Sequence, residues 1–257
     1  MKMDKIQEAY NNEKVVMKYK SSQNLQPAEK SILEILMPNL TEYKVLDIGV
    51  GTGRTSIHIA PVCKFYVGVD YAQNMIDYCR KQYTYKNALF EIVDAREMHQ
   101  FSDEEFDVVI FSFNGIDCVN FEDRSKILNE IVRVLKHGGY FVFSSHNTRN
   151  LFRKYSFRMP KNPFNYLKEK RRLQNIRKCN GSIEQYKSKN YFFLFDGVEN
   201  DWTMSVLYIL PEFQMRILEQ NQFSKIRLFN WRTGKEFPVE LLPYYTEPWL
   251  YYLCKRN

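Results

Sequence analysis

Short apolar runs alternate with segments of helical spacing through the first 146 residues. Val45–Asp47, Phe65–Val69, Ala88–Val93, Phe106–Phe113 and Tyr140–Ser145 read as strands. Helices are predicted from about Thr55, over Gln73–Tyr83, and from about Glu122 to Leu135. The last carries Ile127, Leu128, Ile131, Val132 and Leu135 on one face. His137-Gly138-Gly139 is expected to close it, glycine supplying the left-handed turn and His137 capping the helix end. Such alternation predicts a parallel sheet covered on both faces.

The alternation stops after residue 146. Residues 147–190 are polar, basic and poorly periodic. Tyr191–Phe195 and Trp202–Leu210 predict a hairpin around Asp196-Gly197. Glu212–Gln222 reads as a helix, and Lys225–Trp231 and Trp249–Lys255 as late strands, one of them antiparallel. The chain therefore divides into a helical lid (1–40, with a break at Pro27), a core (41–146), a basic cap with the hairpin (147–210), and a C-terminal part that completes the sheet (211–257).

Composition narrows the class. The chain has 257 residues, 44% hydrophobic and 26% charged, as expected of a soluble globular protein. The apolar run at Val108–Phe113 is too short to span a bilayer, and the polar N-terminus does not read as a signal peptide. Five scattered cysteines without a C-x-x-C pair predict a reduced, cytoplasmic chain with no metal site. The net charge of +7 is localised: residues 149–189 hold thirteen Lys or Arg and two acids, +11 in all, so the remainder carries −4. The partner of that segment is expected to be anionic.

The strongest chemical signal is Asp47-Ile-Gly49-Val-Gly51-Thr-Gly53-Arg54, set between a strand and a helix. Glycines there let backbone approach a ligand and aim amides at it. Asp70 ends the next strand. A dinucleotide site would want glycine where Arg54 stands, and would set a pyrophosphate beside Asp47. A ligand with no phosphates and a positive amine or sulfonium suits Asp47 better; S-adenosylmethionine has those features. Asp70 is placed to accept both ribose hydroxyls.

The stretches VLDIGVGTGR, VGVDYAQNMIDYCR, FEIVDA, FDVVIFSFNGID and IVRVLKHGGYFVFSS resemble, in order and spacing, the class I S-adenosylmethionine-dependent methyltransferases. The resemblance covers residues 44–146, only loosely the C-terminal strands, and not 147–190. It implies a Rossmann-like α/β fold: a seven-stranded, mostly parallel sheet with one antiparallel strand and helices on both faces. It also implies S-adenosylmethionine as cofactor, released as S-adenosylhomocysteine, with no metal. Carried over by position, Asp47, Gly49, Gly51, Gly53 and Arg54 hold the methionine end. Asp70 holds the ribose, and Tyr71 and Met75 pack nearby. Asp94, Ala95 and Arg96 meet the adenine, and Phe111, Ser112, Phe113 and Asn114 form the floor. Tyr10 and Tyr19 lie in the lid; Tyr19 is a candidate to contact the donor, with core packing as the alternative. Val50 departs from the small residue common in relatives.

Methyl transfer to a hydroxyl needs a base. Of four histidines, His58 reads as structural or exposed, His99 lies in a loop, and His137 caps a helix. His146 follows the fifth strand on the ligand-binding edge and is the expected base. Asn114 and Asp117 follow the fourth strand; Asp117 could act as base or hold an acceptor amine, and either residue could instead cap a turn. The C-terminal aromatics Tyr244, Tyr245, Trp249, Tyr251 and Tyr252 could line a pocket, a dimer face or only pack. Arg149, Arg153, Lys154 and Arg158 are candidates to clamp a phosphate or carboxylate. The later basic clusters read as a solvated helix face.

These readings favour methyl transfer to a hydroxyl or amine of a small anionic acceptor. FSFNGID and SSHNTRN give a looser likeness to bacterial surface-glycan methyltransferases, which implies a sugar or nucleotide-linked sugar. RNA methylation is the alternative, with the basic insert on phosphates. Neither an Asn-Pro-Pro-aromatic motif nor a nucleophilic cysteine pair supports it. A DNA partner is not expected. A non-catalytic S-adenosylmethionine-binding scaffold, contact with an anionic lipid surface, and a homodimer through the hairpin remain alternatives.

Overall fold

The computed structural model describes residues 7, 10–20, 23–197, 202 and 204–257. Parts of the expected lid (1–6, 8–9, 21–22) and of the hairpin connection (198–201, 203) lie outside the described residues.

The strands are β1 (Lys44–Ile48), β2 (Phe65–Asp70), β3 (Ala88–Ile92), β4 (Phe106–Phe111), β5 (Leu135–Asn147), β6 (Tyr191–Leu194), β7 (Val206–Ile209), β8 (Phe223–Asn230), β9 (Glu236–Phe237) and β10 (Trp249–Arg256). They form one sheet in the order β3-β2-β1-β4-β5-β10-β8-β9. The pairs β3-β2, β2-β1, β1-β4 and β4-β5 are parallel, and β10 is antiparallel to both β5 and β8. The expected seven-stranded frame with one antiparallel strand is therefore present, with the short β9 added at one edge.

Side chains alternate between the two faces, as the pleat requires. Leu46, Val109 and Phe111 pack with Ile127, Leu128, Ile131 and Val134 of the helix Phe121–Val134. Val45, Val108 and Ile110 pack with Ile32 and Leu36 of the helix Pro27–Leu36, and with Ile76 of Gln73–Gln82. Pro27 is the first residue of its helix, where a missing N–H costs nothing.

The predicted hairpin forms: β6 and β7 are antiparallel. β7 also pairs in parallel with His146 and Asn147 of β5. Because β10 occupies the other edge of His146, β7 sits on the β4 side, past the point where β4 ends. The hairpin is thus built into the sheet over the end of β4. A small third core of Leu151, Tyr155, Ile176, Phe192, Leu194, Val206 and Tyr208 joins it to the cap helices.

Some expectations hold and several are corrected. The poorly periodic insert contains a 15-residue helix, Tyr166–Asn180, whose exposed face carries the later basic clusters as expected. Its buried stripe is small, Ile176 and Asn180 with the half-buried Glu169, Arg172 and Leu173, and basic residues obscure the spacing. The long helix ends at Val134, and buried Leu135 already begins β5. Gly138 (φ +75°) lies within that strand, near its register shift against β4, and does not close a helix. His137 accordingly caps no helix; it faces Glu104 at 3.2 Å. β4 stops at Phe111, because Phe113 (φ +56°) and Asn114 (φ +60°) turn left-handed.

Candidate active site

A cavity of about 490 Å³ opens at the C-terminal ends of β1, β2 and β4, with Val206 of the hairpin and Tyr10 and Tyr19 of the N-terminal segment along its rim. Its floor is the glycine turn. Gly49 (φ +63°) and Gly51 (φ +56°) line it, and a Cβ at Gly51 would meet no atom within 4 Å. The turn therefore presents bare backbone to open space, which suits a ligand pressed against it.

Asp70 lies at the cavity wall, with its carboxylate accepting from the amides of Gly51 (3.0 Å) and Ala72 (2.9 Å). Burial pushes its carboxyl up to about 6. Tyr71, Met75, Ala95, Phe111, Ser112 and Phe113 line the cavity as expected. Tyr10 and Tyr19 reach it from the N-terminal segment, their rings 6.2 Å apart. That segment is held by Gln7 Nε2 donating to the Tyr71 carbonyl (2.9 Å) and the Asn74 amide donating to Asn11 (3.1 Å).

Three expected cofactor residues stand elsewhere. Asp47 lies beneath the turn, fully buried, and accepts from Thr55 Oγ1 and Tyr66 OH (2.5 Å). Burial raises its carboxyl to about 6 against those two donors. It shapes the turn and does not line the cavity. Gly53 is packed under Tyr83, where a Cβ would lie 2.3 Å from the ring. Arg54 turns away to pair with Glu29 (Nη2 to Oε1, 2.7 Å) and covers the Phe113 ring. Burial pushes Glu29 up, but Arg54, Ser112 and the Gln26 amide outweigh it and hold the carboxyl below its usual range. Glu29 also accepts from Tyr251 OH (3.0 Å), so it fastens the helix Pro27–Leu36 to the site. An isolated acid on an amphipathic helix gave no sequence signal of this role.

At the opposite wall, Asp94 and Arg96 are both present but already paired. Arg96 grips Asp94 through Nε (2.9 Å) and Nη2 (2.5 Å), and Asp123 through Nη1 (3.0 Å). Asp123, Val119, Asn120 and Ile127 line this side too, and sequence reasoning did not single them out.

His146 lines the cavity next to Asn114. Its Nδ1 lies 2.9 Å from Asp117 Oδ2, and its Nε2 lies 3.4 Å from Asn114 Nδ2. The ring sits between Tyr208 (centroids 4.9 Å apart) and Trp249 (6.2 Å), so its orientation is fixed by packing as well. Asp117 is completely buried and does not reach the cavity. Besides His146 Nδ1 it faces Arg124 (2.7 Å), Ser145 Oγ (2.7 Å) and the His146 amide (2.7 Å). The expectation that Asp117 acts as a base or holds an acceptor amine is therefore corrected: it positions His146. Asn114 Oδ1 is buried with no hydrogen-bond partner, an acceptor waiting for a donor. His99 is exposed and away from the cavity, and His58 is engaged with the Gln23 carbonyl (3.1 Å).

The expected anion clamp is also corrected. Arg149 is paired with Glu212 (2.6 Å) and Lys154 with Asp196 (2.9 Å); Arg153 and Arg158 are exposed. None of the four lines the cavity. Of the C-terminal aromatics, Trp249 lines it, while Tyr251 supports it from behind through Ser112 and Glu29.

The donor set tests the implied cofactor. Asp70, Asp94 and Asn114 Oδ1 are acceptors, and Arg96, the one Lys or Arg among the described residues that line the cavity, is doubly paired. Such a wall fits the amine and hydroxyl donors of S-adenosylmethionine and disfavours a pyrophosphate. No cluster of His, Cys, Asp and Glu able to hold a metal occurs among the described residues.

Comparison with known proteins agrees with this geometry. Residues 45–139 match the family described as a methyltransferase domain. A ubiquinone/menaquinone biosynthesis C-methyltransferase from Geobacter sulfurreducens is 37% identical over 123 residues, 44% of this chain and 47% of the relative. The uncharacterized methyltransferase YcgJ of Bacillus subtilis is 30% identical over 108 residues, 41% of each chain. The chain thus spans less than half the length of these curated relatives. Among solved structures, an S-adenosylmethionine-dependent methyltransferase from Mesorhizobium loti superposes with a TM-score of 0.61 at 16% identity, covering 89% of this chain and 98% of that one. One from Methanosarcina mazei gives 0.55 at 19% identity, covering 86% and 96%. Residues 45–139 thus match a methyltransferase domain, and the fold built on them is the one found in these solved S-adenosylmethionine-dependent methyltransferases.

Proposed function

We propose that the protein methylates a hydroxyl of a small acceptor, using S-adenosylmethionine and His146 as general base. The observation that carries this reading is the His146–Asp117 pair. A buried carboxylate that accepts from Nδ1–H leaves the lone pair on Nε2, the nitrogen beside Asn114. Bound S-adenosylmethionine supplies an electrophilic methyl group. Gly49 and Gly51 on the floor, and Asp70, Asp94 and Ala95 at the walls, are the residues that would hold it. Asn114 Oδ1 takes a donor from cofactor or acceptor. His146 Nε2 removes the acceptor's proton as the oxygen becomes the nucleophile, and the hairpin and N-terminal segment exclude water.

The acceptor is an uncharged hydroxylated molecule with a flat or apolar body. Trp249, Val206, Phe113 and Val119 offer it apolar surface, and Arg96, the one Lys or Arg among the described residues that line the cavity, is already paired with two acids. Among the described residues, an anionic sugar or an RNA phosphate would find no unengaged Lys or Arg in this cavity. Where the hydroxyl is conjugated to a ring, its deprotonation also makes a ring carbon nucleophilic, so carbon methylation is the second reading. The C-methyltransferase relative from G. sulfurreducens favours it. The test is transfer from methyl-labelled S-adenosylmethionine to a panel of phenols, hydroxyquinones, sugars, amines and RNA. Label in the hydroxylated aromatics is expected; label only in RNA or in phosphorylated sugars would overturn the assignment.

Acidity provides a second test. The Asp70 and Asp47 carboxyls are raised to about 6, so the native state holds these protons more tightly than the unfolded chain. Their contribution to ligand-free stability is full below the unfolded value and is lost as pH rises through about 6. Cofactor binding has the opposite sign, because the ionised Asp70 is the better acceptor. Affinity should be level above pH ~7 and fall as pH drops through about 6, by up to about tenfold per unit. Calorimetric titration at several pH values reads this directly; affinity flat across the range would count against Asp70 as a cofactor ligand.

A further inference from the structure

We propose that the cap carries a docking surface for an anionic lipid membrane, formed by an apolar tip and a collar of basic side chains. The tip is the segment between the helices Leu151–Tyr155 and Tyr166–Asn180, with their nearest turns. Phe152 (75% exposed), Met159 (80%), Phe164 (91%) and Leu167 (65%) stand in solvent, with Phe157 and Tyr166 partly so. Large apolar side chains scattered singly are ordinary, but this many within sixteen residues of chain are not.

The segment that carries them packs against the helix that follows it. The Phe157 and Tyr166 rings are 5.3 Å apart. Arg172 reaches across to the carbonyls of Lys154 (2.7 Å) and Ser156 (2.9 Å), and the Arg158 amide donates to Glu169 (2.9 Å). Phe152 and Arg177 face a common cleft. The segment 154–158 therefore lies along the helix Tyr166–Asn180 and not apart from it.

Charge identifies the occupant. Lys161, Lys168, Lys170, Arg171, Arg177 and Lys178 are exposed around the tip, and none is ion-paired among the described residues. The two acids of the segment are already used, Glu169 by Arg172 (2.7 Å) and Glu184 by Lys187 (2.7 Å). An RNA backbone would use the cations but has no need of exposed Met159 and Leu167. A lipid surface uses both: apolar side chains enter the head-group boundary while the cations meet anionic head groups. No helix among the described residues is long and apolar enough to cross a membrane, so the contact is one that lies on the surface. The proposal does not rest on the methyl-transfer reading, since none of these side chains lines the cavity.

The test is co-sedimentation of the whole chain with vesicles of phosphatidylcholine alone or mixed with phosphatidylglycerol. Binding is expected only to the mixed vesicles, and should weaken as salt is raised. The triple variant Lys168→Gln, Lys170→Gln, Arg171→Gln should weaken it about a hundredfold, near fivefold per charge. The variant Met159→Ser, Phe164→Ser, Leu167→Ser should abolish it, with melting temperature and S-adenosylmethionine affinity unchanged as controls of folding. Equal binding to both vesicle types, or binding that survives removal of the apolar tip, would overturn the proposal. So would retention on a poly(U) resin, unaffected by removal of the apolar tip, without retention on vesicles; that result would assign the collar to nucleic acid.

Discussion

Alanine at position 146 is expected to lower kcat by about 10²–10⁴-fold and to leave the dissociation constant of S-adenosylmethionine unchanged. The size follows from the role. His146 meets the cavity beside Asn114, while its other nitrogen is tied to Asp117 at 2.9 Å. Removing the imidazole deletes the proposed proton acceptor but touches none of the cavity-lining groups Gly49, Gly51, Asp70 or Asp94 proposed to hold the cofactor. The acceptor's own acidity separates this role from a structural one. A phenol already ionised at the assay pH needs no base, so the loss should shrink along a series of increasingly acidic phenols. Steady-state kinetics on such a series reads the effect. A uniform loss for all acceptors, or undiminished turnover, would remove His146 as base. Asp117→Asn is a poorer probe, because it leaves Arg124 buried without its countercharge, at a typical cost of about 3–5 kcal/mol.

The sequence was most legible where backbone geometry carries the function. The strand–glycine turn–helix unit, the acids Asp70 and Asp94 at strand ends, and the position of His146 at the C-terminal end of β5 follow from local pattern, and each lies on the cavity. β5 runs on to Asn147 and so contains His146, where the sequence pattern ended the strand before it. The long-range partners were not legible. Arg124 sits in a helix among Glu122, Asp123 and Lys126 and reads as a solvated charge. It is 1% exposed because it pairs with Asp117, seven residues earlier, and donates to Gln214, ninety residues further along the chain. Glu29 is hidden in the same way by Arg54, Ser112 and Tyr251. The converse error concerned Asp47, Gly53 and Arg54. Their spacing places them in the turn, but only the packed structure shows them supporting it from below, through Tyr66, Tyr83 and Glu29. The basic insert misled in a third way. Charge density predicts an anionic partner, but it does not say which cations are already paired. Arg149 and Lys154, nearest the site in sequence, are the ones neutralised within the fold.

Gly51→Val should abolish cofactor binding while leaving the chain folded, raising the dissociation constant by at least about a hundredfold, or ~2.7 kcal/mol. At φ +56° an L side chain is strained, at a cost of about 1–2 kcal/mol that a domain of this size can absorb. No atom lies within 4 Å of the new Cβ, so nothing in the core must move. The added methyl groups project instead into the open space above the turn, where the ligand backbone contact would form. Gly53→Val is the contrasting substitution. There a Cβ would lie 2.3 Å from the Tyr83 ring, so the expected loss is in melting temperature, with binding lost only as the fold is lost. Asp70→Ala should resemble Gly51→Val in binding. It removes an acceptor at the cavity wall and releases the Gly51 and Ala72 amides that the carboxylate holds in place. Calorimetric titration paired with a thermal melt distinguishes the three variants. Normal affinity in Gly51→Val or Asp70→Ala would move the cofactor away from this turn; a collapse in melting temperature in Gly51→Val would show that the turn bears on the core and is not an open cradle.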